Sequence, residues 1–157
     1  MPNNADDFAR ELAKQIQQVE AAGSELHRKM GLDLLRVLID KTPIGNRELW
    51  KINKGRSKRK LLPKGYVGGH LRHNWQVTID RTTDAELDGI SRSAAATYRR
   101  EEPKVLRAPF GSIIYIQNPV PYSIPVMERG TSTQAPSGTF RVTIQEIAVK
   151  YNAQVGG

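Results

Sequence analysis

The strongest constraint on folding is a long run of helical periodicity that ends at a proline. Phe8, Leu12, Ile16 and Val19 are spaced four, four and three residues apart, the stripe of an amphipathic helix. Asn4 can cap its start, and Asp6 and Asp7 suit the positive end of the dipole. A second stripe, Leu26, Met30, Leu34, Val37 and Leu38, widened by Leu35 and Ile39, predicts a more deeply buried helix over 25–41. Ala21-Ala22-Gly23 and Ser24 leave open whether 5–41 is one helix or a pair. Thr42-Pro43 stops it, because the residue before proline is pushed out of the helical region.

Residues 44–70 change character. Arg47, Lys51, Lys54, Arg56, Lys58, Arg59, Lys60 and Lys64 are opposed only by Glu48, with glycines interleaved. The pattern predicts a long basic loop, and a loop of this length in a compact domain is usually functional or disordered. The chain carries a formal net charge of +8, much of it here, which favours contact with a polyanion or an acidic protein surface over a merely solvated loop. Lysine and arginine neutralise phosphates without reading sequence. Trp50 and Tyr66 offer little aromatic surface for stacking on single strands.

Further along, alternation in Leu71–Asp80 predicts a strand with Trp75, Val77 and Ile79 buried and Asn74, Gln76 and Thr78 on a polar face. Residues 81–92 read as turns and 93–99 as a weaker strand. Pro103 suits the first turn of a short helix through Leu106. Ile113–Ile116 is apolar on both faces and is expected at the centre of a sheet. A short helical turn carries Tyr122, Val126 and Met127, closed by Glu128-Arg129-Gly130. From Ser137 on, strand-like alternation competes with a helical stripe of Phe140, Ile144, Ile147 and Tyr151. The stripe outlasts an ordinary strand, so a helix is expected. The expected core is Leu34, Leu38, Trp75, Val77, Ile114, Tyr122, Phe140 and Ile144.

At 157 residues, one domain is expected, with the basic loop at about 44–70 as its main excursion. No apolar run is long enough to span a bilayer, and the N-terminal residues lack the pattern of a secretory signal. The chain has no cysteine, so disulfides and thiolate metal sites are excluded. His70 and His73, read on a strand, would point to opposite faces and share no metal. Asp6-Asp7 and Glu101-Glu102 both read as carboxylates placed at helix starts by the dipole. No phosphate-cradling loop, nucleophile elbow or zinc-protease motif is present, so neither an enzyme nor a cofactor is expected.

Several of these runs resemble, in order, those of tail-completion proteins of long-tailed bacteriophages. Thr42-Pro43-Ile44 at the helix exit and Gly68-Gly69-His70-Leu71-Arg72-His73-Asn74-Trp75 come first, with the basic stretch inserted between them. Ile113-Ile114-Tyr115-Ile116-Gln117-Asn118, Pro121-Tyr122, Met127-Glu128-Arg129-Gly130 and Ser132-Thr133-Gln134-Ala135-Pro136-Ser137-Gly138 follow, continued by Arg141-Val142-Thr143-Ile144-Gln145-Glu146. Ile124-Pro125 and Thr139-Phe140 depart from the family pattern.

The resemblance implies a tail-terminator-like α+β fold: a helix or helix pair, a twisted, mostly antiparallel sheet of three to four strands, short helices and a C-terminal helix. It also implies a ring, commonly a hexamer, that caps the tail tube, stops its polymerisation and meets the head connector or stopper protein, with duplex DNA passing through non-specifically. Such a protein resides in the virion and, during assembly, in the host cytoplasm.

On that reading Glu128, Arg129, Gly130, Thr131, Ser132, Gln134, Ala135 and Pro136 are candidates for subunit contact, with intramolecular turn formation as the alternative. Lys51, Lys54, Arg56, Lys58, Arg59, Lys60 and Lys64 are candidates for the lumen, a neighbouring ring or DNA. A basic nucleic-acid-binding module using 47–64 is the rival function.

Overall fold

A computed structural model of the chain describes residues 4–45, 67–132 and 134–155. The architecture is α+β: one long helix, a two-stranded antiparallel sheet, and further helices packed around both. The basic segment, Lys51 to Lys64 included, lies outside the described residues.

Helix α1 runs unbroken from Asn4 to Lys41, so Gly23 does not divide it. Its two halves differ in burial. Residues 5–22 are exposed throughout, whereas Leu35, Leu38 and Ile39 lie in the core. They pack with Trp75, Val77 and Val105, and Leu34, Ile79, Ile114, Ile116 and Phe140 close around them. Each fully buried side chain of this kind contributes roughly 1.5–3 kcal/mol. A smaller cluster of Leu71, Val120, Met127 and Ala135 adjoins it, and Phe140 touches both. The rings of Phe140 and Trp75 meet edge to face at 5.7 Å.

The strand expected over 71–80 is shorter than its alternation suggested. His70–His73 is a helical turn, α2, because the His73 and Asn74 N–H groups bond back to the Gly69 and His70 carbonyls. Strand β1 is Gln76–Ile79 and pairs with β2, Ile114–Gln117, with Val77 opposite Ile116. The supposed polar face is also covered. Asn74 exchanges hydrogen bonds with the Leu87 backbone, and Gln76 donates to the Ala85 carbonyl at 2.8 Å. The segment 81–92 is therefore a covering layer.

Residues 93–99 are not a strand. Helix α3 is Ala94–Leu106, started by three alanines with the best helical propensity. Its buried face is Thr97, Glu101 and Val105, which follow i, i+4 spacing although two are polar. Pro103 sits in the last turn of this helix, not the first. Glu101 and Glu102 lie well inside it, so the helix dipole does not account for them. Among the described residues the sheet has two strands rather than three or four, and β2 is consequently an edge strand, half-buried instead of central.

Helix α4, Ser123–Met127, buries Ser123 and Met127, which turns Tyr122 outward at 37% exposure. Helix α5, Thr139–Val155, settles the last segment as a helix. Its buried face is Thr139, Thr143, Ile147 and Tyr151, so Ile144, one position round, is 54% exposed. Tyr122 and Ile144 thus leave the expected core. Tyr151 donates to the Asp33 carboxylate at 2.6 Å, and Lys150 pairs with the same oxygen, joining α5 to α1. Burial, reinforced by Asp33, pushes the Tyr151 phenol up to about 12.

Candidate contact surfaces

Two places gather the residues that carry the resemblance. At the first, the exit of α1 is tied to α2 and β1. The buried Thr42 hydroxyl donates to the Leu38 carbonyl at 2.6 Å and accepts the Trp75 indole N–H at 2.7 Å. The Arg72 guanidinium grips the Thr42 carbonyl at 2.6 and 3.1 Å and reaches the Arg92 carbonyl. Burial lowers the Arg72 pKa, with Asp40 opposing. The group stays charged, since arginine starts far above neutrality. Asn118 donates to the Leu71 carbonyl at 2.7 Å, which fastens the end of β2 to α2.

Gly68 lies against the backbone where α1 has just ended. A Cβ there would stand 2.2 Å from the Gly45 carbonyl oxygen and 2.3 Å from that of Ile44. Only glycine allows this approach. The residues flanking the basic segment on either side therefore meet.

The second place is the turn after α4. The Glu128 carbonyl accepts the Gly138 N–H at 2.8 Å and the Ser137 hydroxyl at 3.1 Å, while its carboxylate stands 3.4 Å from the Arg141 guanidinium. Thr131 bonds the Pro125 carbonyl, the Ser132 hydroxyl accepts the Gln134 N–H, and Thr139 donates to the Pro136 carbonyl. Ala135 is buried against Leu71, Val120 and Met127. The described residues of the turn are thus largely bonded to one another. The turn leaves Arg129, Thr131, Pro136 and Ser137 exposed. Between it and α1 runs a groove of about 350 Å³, lined by Asp40, Lys41, Gln134, Pro136, Ser137, Thr139 and Val142.

The residue that sequence reading missed is Glu101. It is fully buried, accepts the Val77 N–H at 2.7 Å, and pairs with Arg100 at 2.6 Å and Lys104 at 2.7 Å. Arg100 also donates to the His73 and Trp75 carbonyls. Its signal was the i, i+4 spacing with Thr97 and Val105, hidden because two of the three are polar.

The histidines belong to the same scaffold. On the α2 turn they do not point apart as strand residues would, yet each has its own partners. His70 meets the Gly89 carbonyl at 3.0 Å and Glu86 at 3.1 Å. Burial disfavours its charged form, but these acceptors outweigh burial and its pKa lies above the ordinary 6.5. For His73, burial and then the adjacent Arg100 guanidinium lower the pKa.

The signs are opposite. His70 adds stability below about pH 6.5 that is lost as pH rises through its folded value. His73 adds stability above about pH 6.5 that is lost as pH falls through its own. Histidine NMR titration is expected to give His70 the higher midpoint, and Glu86→Gln is expected to lower it. The reverse order would refute this assignment. Among the described residues no cluster of His, Cys, Asp or Glu could hold a metal ion, and no helix is long and apolar enough to cross a membrane.

No family model matches the chain, and no curated protein or solved structure does either.

Proposed function

We propose that this chain is a structural protein of the phage head–tail junction. Its copies form a ring that caps or completes the tail tube, stops its polymerisation and joins it to the head connector or stopper protein, while DNA passes through the lumen. One observation carries the reading: the residues of the ordered resemblance are those that tie the fold together. Thr42, Arg72 and Trp75 share one hydrogen-bonded junction, Asn118 fastens β2 to the adjoining Leu71, and Leu71 and Ala135 share one apolar cluster.

A subunit of a head-to-tail ring needs two different faces with stable shapes. The self-bonded turn at 128–138 and the groove beside it supply one such face at low ordering cost. The role is structural rather than catalytic, the location is the virion, and a hexamer is the expected ring. On this reading the basic residues of 51–64 are the candidates for contact with DNA or the adjoining ring. Electron microscopy of particles made without this protein is expected to show tails of abnormal length or tails unjoined to heads. Normal joined tails of normal length would sink the proposal.

The rival reading, a basic nucleic-acid-binding module, draws on the charge of residues 47–64. It requires salt-dependent duplex binding by the isolated protein that is lost when Lys58, Arg59 and Lys60 are neutralised.

A further inference from the structure

The N-terminal half of α1 carries an apolar face that nothing covers among the described residues. Phe8, Leu12, Ile16 and Val19 are 68%, 45%, 50% and 69% exposed. That leaves on the order of 450 Å² of apolar surface on one helix, a patch of the size that marks an interaction site.

The pattern is more regular than an amphipathic stripe. Ala5, Ala9, Leu12, Ile16 and Val19 follow one another at alternating spacings of four and three. The alternation continues through Gly23, Leu26 and Met30. This is the a/d seam of a coiled coil, and its period of 3.5 residues implies a left-handed supercoil.

The body of the protein shows where the seam is already partnered. Phe110 stands over Gly23, so close that a Cβ there would lie 2.7 Å from its ring. It fills the seam as a knob from another helix would. Further on, beside the seam residue Met30, Val105 and Ile114 cover Gly31, and Arg28 donates to the Ala108 carbonyl. From Gly23 onward the chain packs on itself; two heptads before it do not.

We propose that residues 5–19 of α1 form a parallel, in-register coiled coil with the same residues of a second copy of this chain. Two features select that occupant. Two such faces, with the flanking alanines, reach about 1,000 Å², the lower bound for a specific interface. β-branched Ile16 at an a position with Leu12 at a d position favours two strands, and β-branched Val19 at the next d position makes a three-stranded coil the competing outcome that the mass measurement separates.

Charge selects the direction. Parallel pairing sets Phe8 against Ala13 and Gln15 against Glu20 of the second copy, with no like charges facing. The antiparallel alignment of longest overlap sets Asp6 against Glu20 of the second copy, a repulsive pair. Parallel pairing places both protein bodies at the same end of the coil, with Phe110 marking where coil ends and body begins. A two-fold pair is not a contact of a polar ring of equivalent subunits, so the inference concerns the free protein before ring assembly and does not depend on the head–tail reading.

The chain has no cysteine, so single substitutions report the geometry directly. In the full-length protein, Val19→Cys is expected to give a disulfide-linked pair of chains under mild oxidation. Arg10→Cys, on the outer face, is expected to give none. Mass measurement of the unmodified chain is expected to show at least twice the 17.6 kDa of one copy, and Ile16→Asp to lose the pairing. Helix content should persist in Ile16→Asp, because Ile16 is outside the core. A single-chain mass with no Val19→Cys product would overturn the proposal. So would a product formed only between Ala9→Cys and Val19→Cys chains, which signals antiparallel pairing. Neither test needs a virion, so its outcome is separate from that of the functional reading.

Discussion

Glu101→Ala is expected to lower stability by about 2–4 kcal/mol, from a buried N–H left unpaired and two charge-assisted bonds lost. That is a large fraction of the roughly 5–15 kcal/mol that holds a typical domain folded. The carboxylate is fully buried and serves three donors at once. Those donors differ in how they tolerate its loss. Arg100 and Lys104 are partly exposed and can recover hydration. The Val77 N–H cannot, because Val77 is buried within the main cluster.

An unpaired buried N–H accounts for roughly 1–3 kcal/mol of the loss. The remainder comes from α3 losing its hold on β1. Glu101→Gln keeps one acceptor oxygen and is expected to cost less, about 1–3 kcal/mol. Urea denaturation of the two variants would measure both. A loss below about 1 kcal/mol for Glu101→Ala would show that the carboxylate is not the clamp inferred here.

The second large effect lies at the exit of α1. Trp75→Ala is expected to cost about 3–5 kcal/mol, since it empties a site ringed by Leu38, Ile39 and Phe140. The sharper experiment concerns the hydroxyl that the indole meets. Thr42→Val keeps the shape of the side chain but leaves the Trp75 N–H without its acceptor, for a loss of about 1–3 kcal/mol. In a Trp75→Phe background there is no N–H to strand, so Thr42→Val should cost about 1 kcal/mol less than in the natural chain. Additive losses across the four proteins would mean that the bond contributes nothing beyond its separate groups.

What was legible in the sequence follows from what apolar periodicity can detect. It found α1, α5 and the short α4, because their buried faces include large apolar side chains in register. It placed Trp75 and Val77 correctly for the same reason. It failed where burial is achieved by hydrogen bonding. Thr97 and Glu101 occupy the core-facing side of α3, so 93–99 offered no stripe and was read as a strand. Asn74 and Gln76 alternate with apolar neighbours and looked solvent-facing, although 81–92 covers them and supplies their partners. In α5 the error was a single position: Thr143 is buried and Ile144 exposed, the reverse of their hydropathy. At the candidate contact turn, the proline and small residues announced a turn. The bonds from Ser137 and Gly138 back to Glu128 could not be read from spacing alone.

The close approach of Gly68 to Ile44 and Gly45 bears on how this chain can change over time. Whatever lies between them departs from and returns to a junction fastened by Thr42, Arg72 and Trp75. Closing a loop between fixed ends costs only about 0.6 kcal/mol for each doubling of its length. A change in chain length between these two flanks therefore adds little closure cost. The meeting of its two flanks makes this junction the point in the fold where added length is least costly.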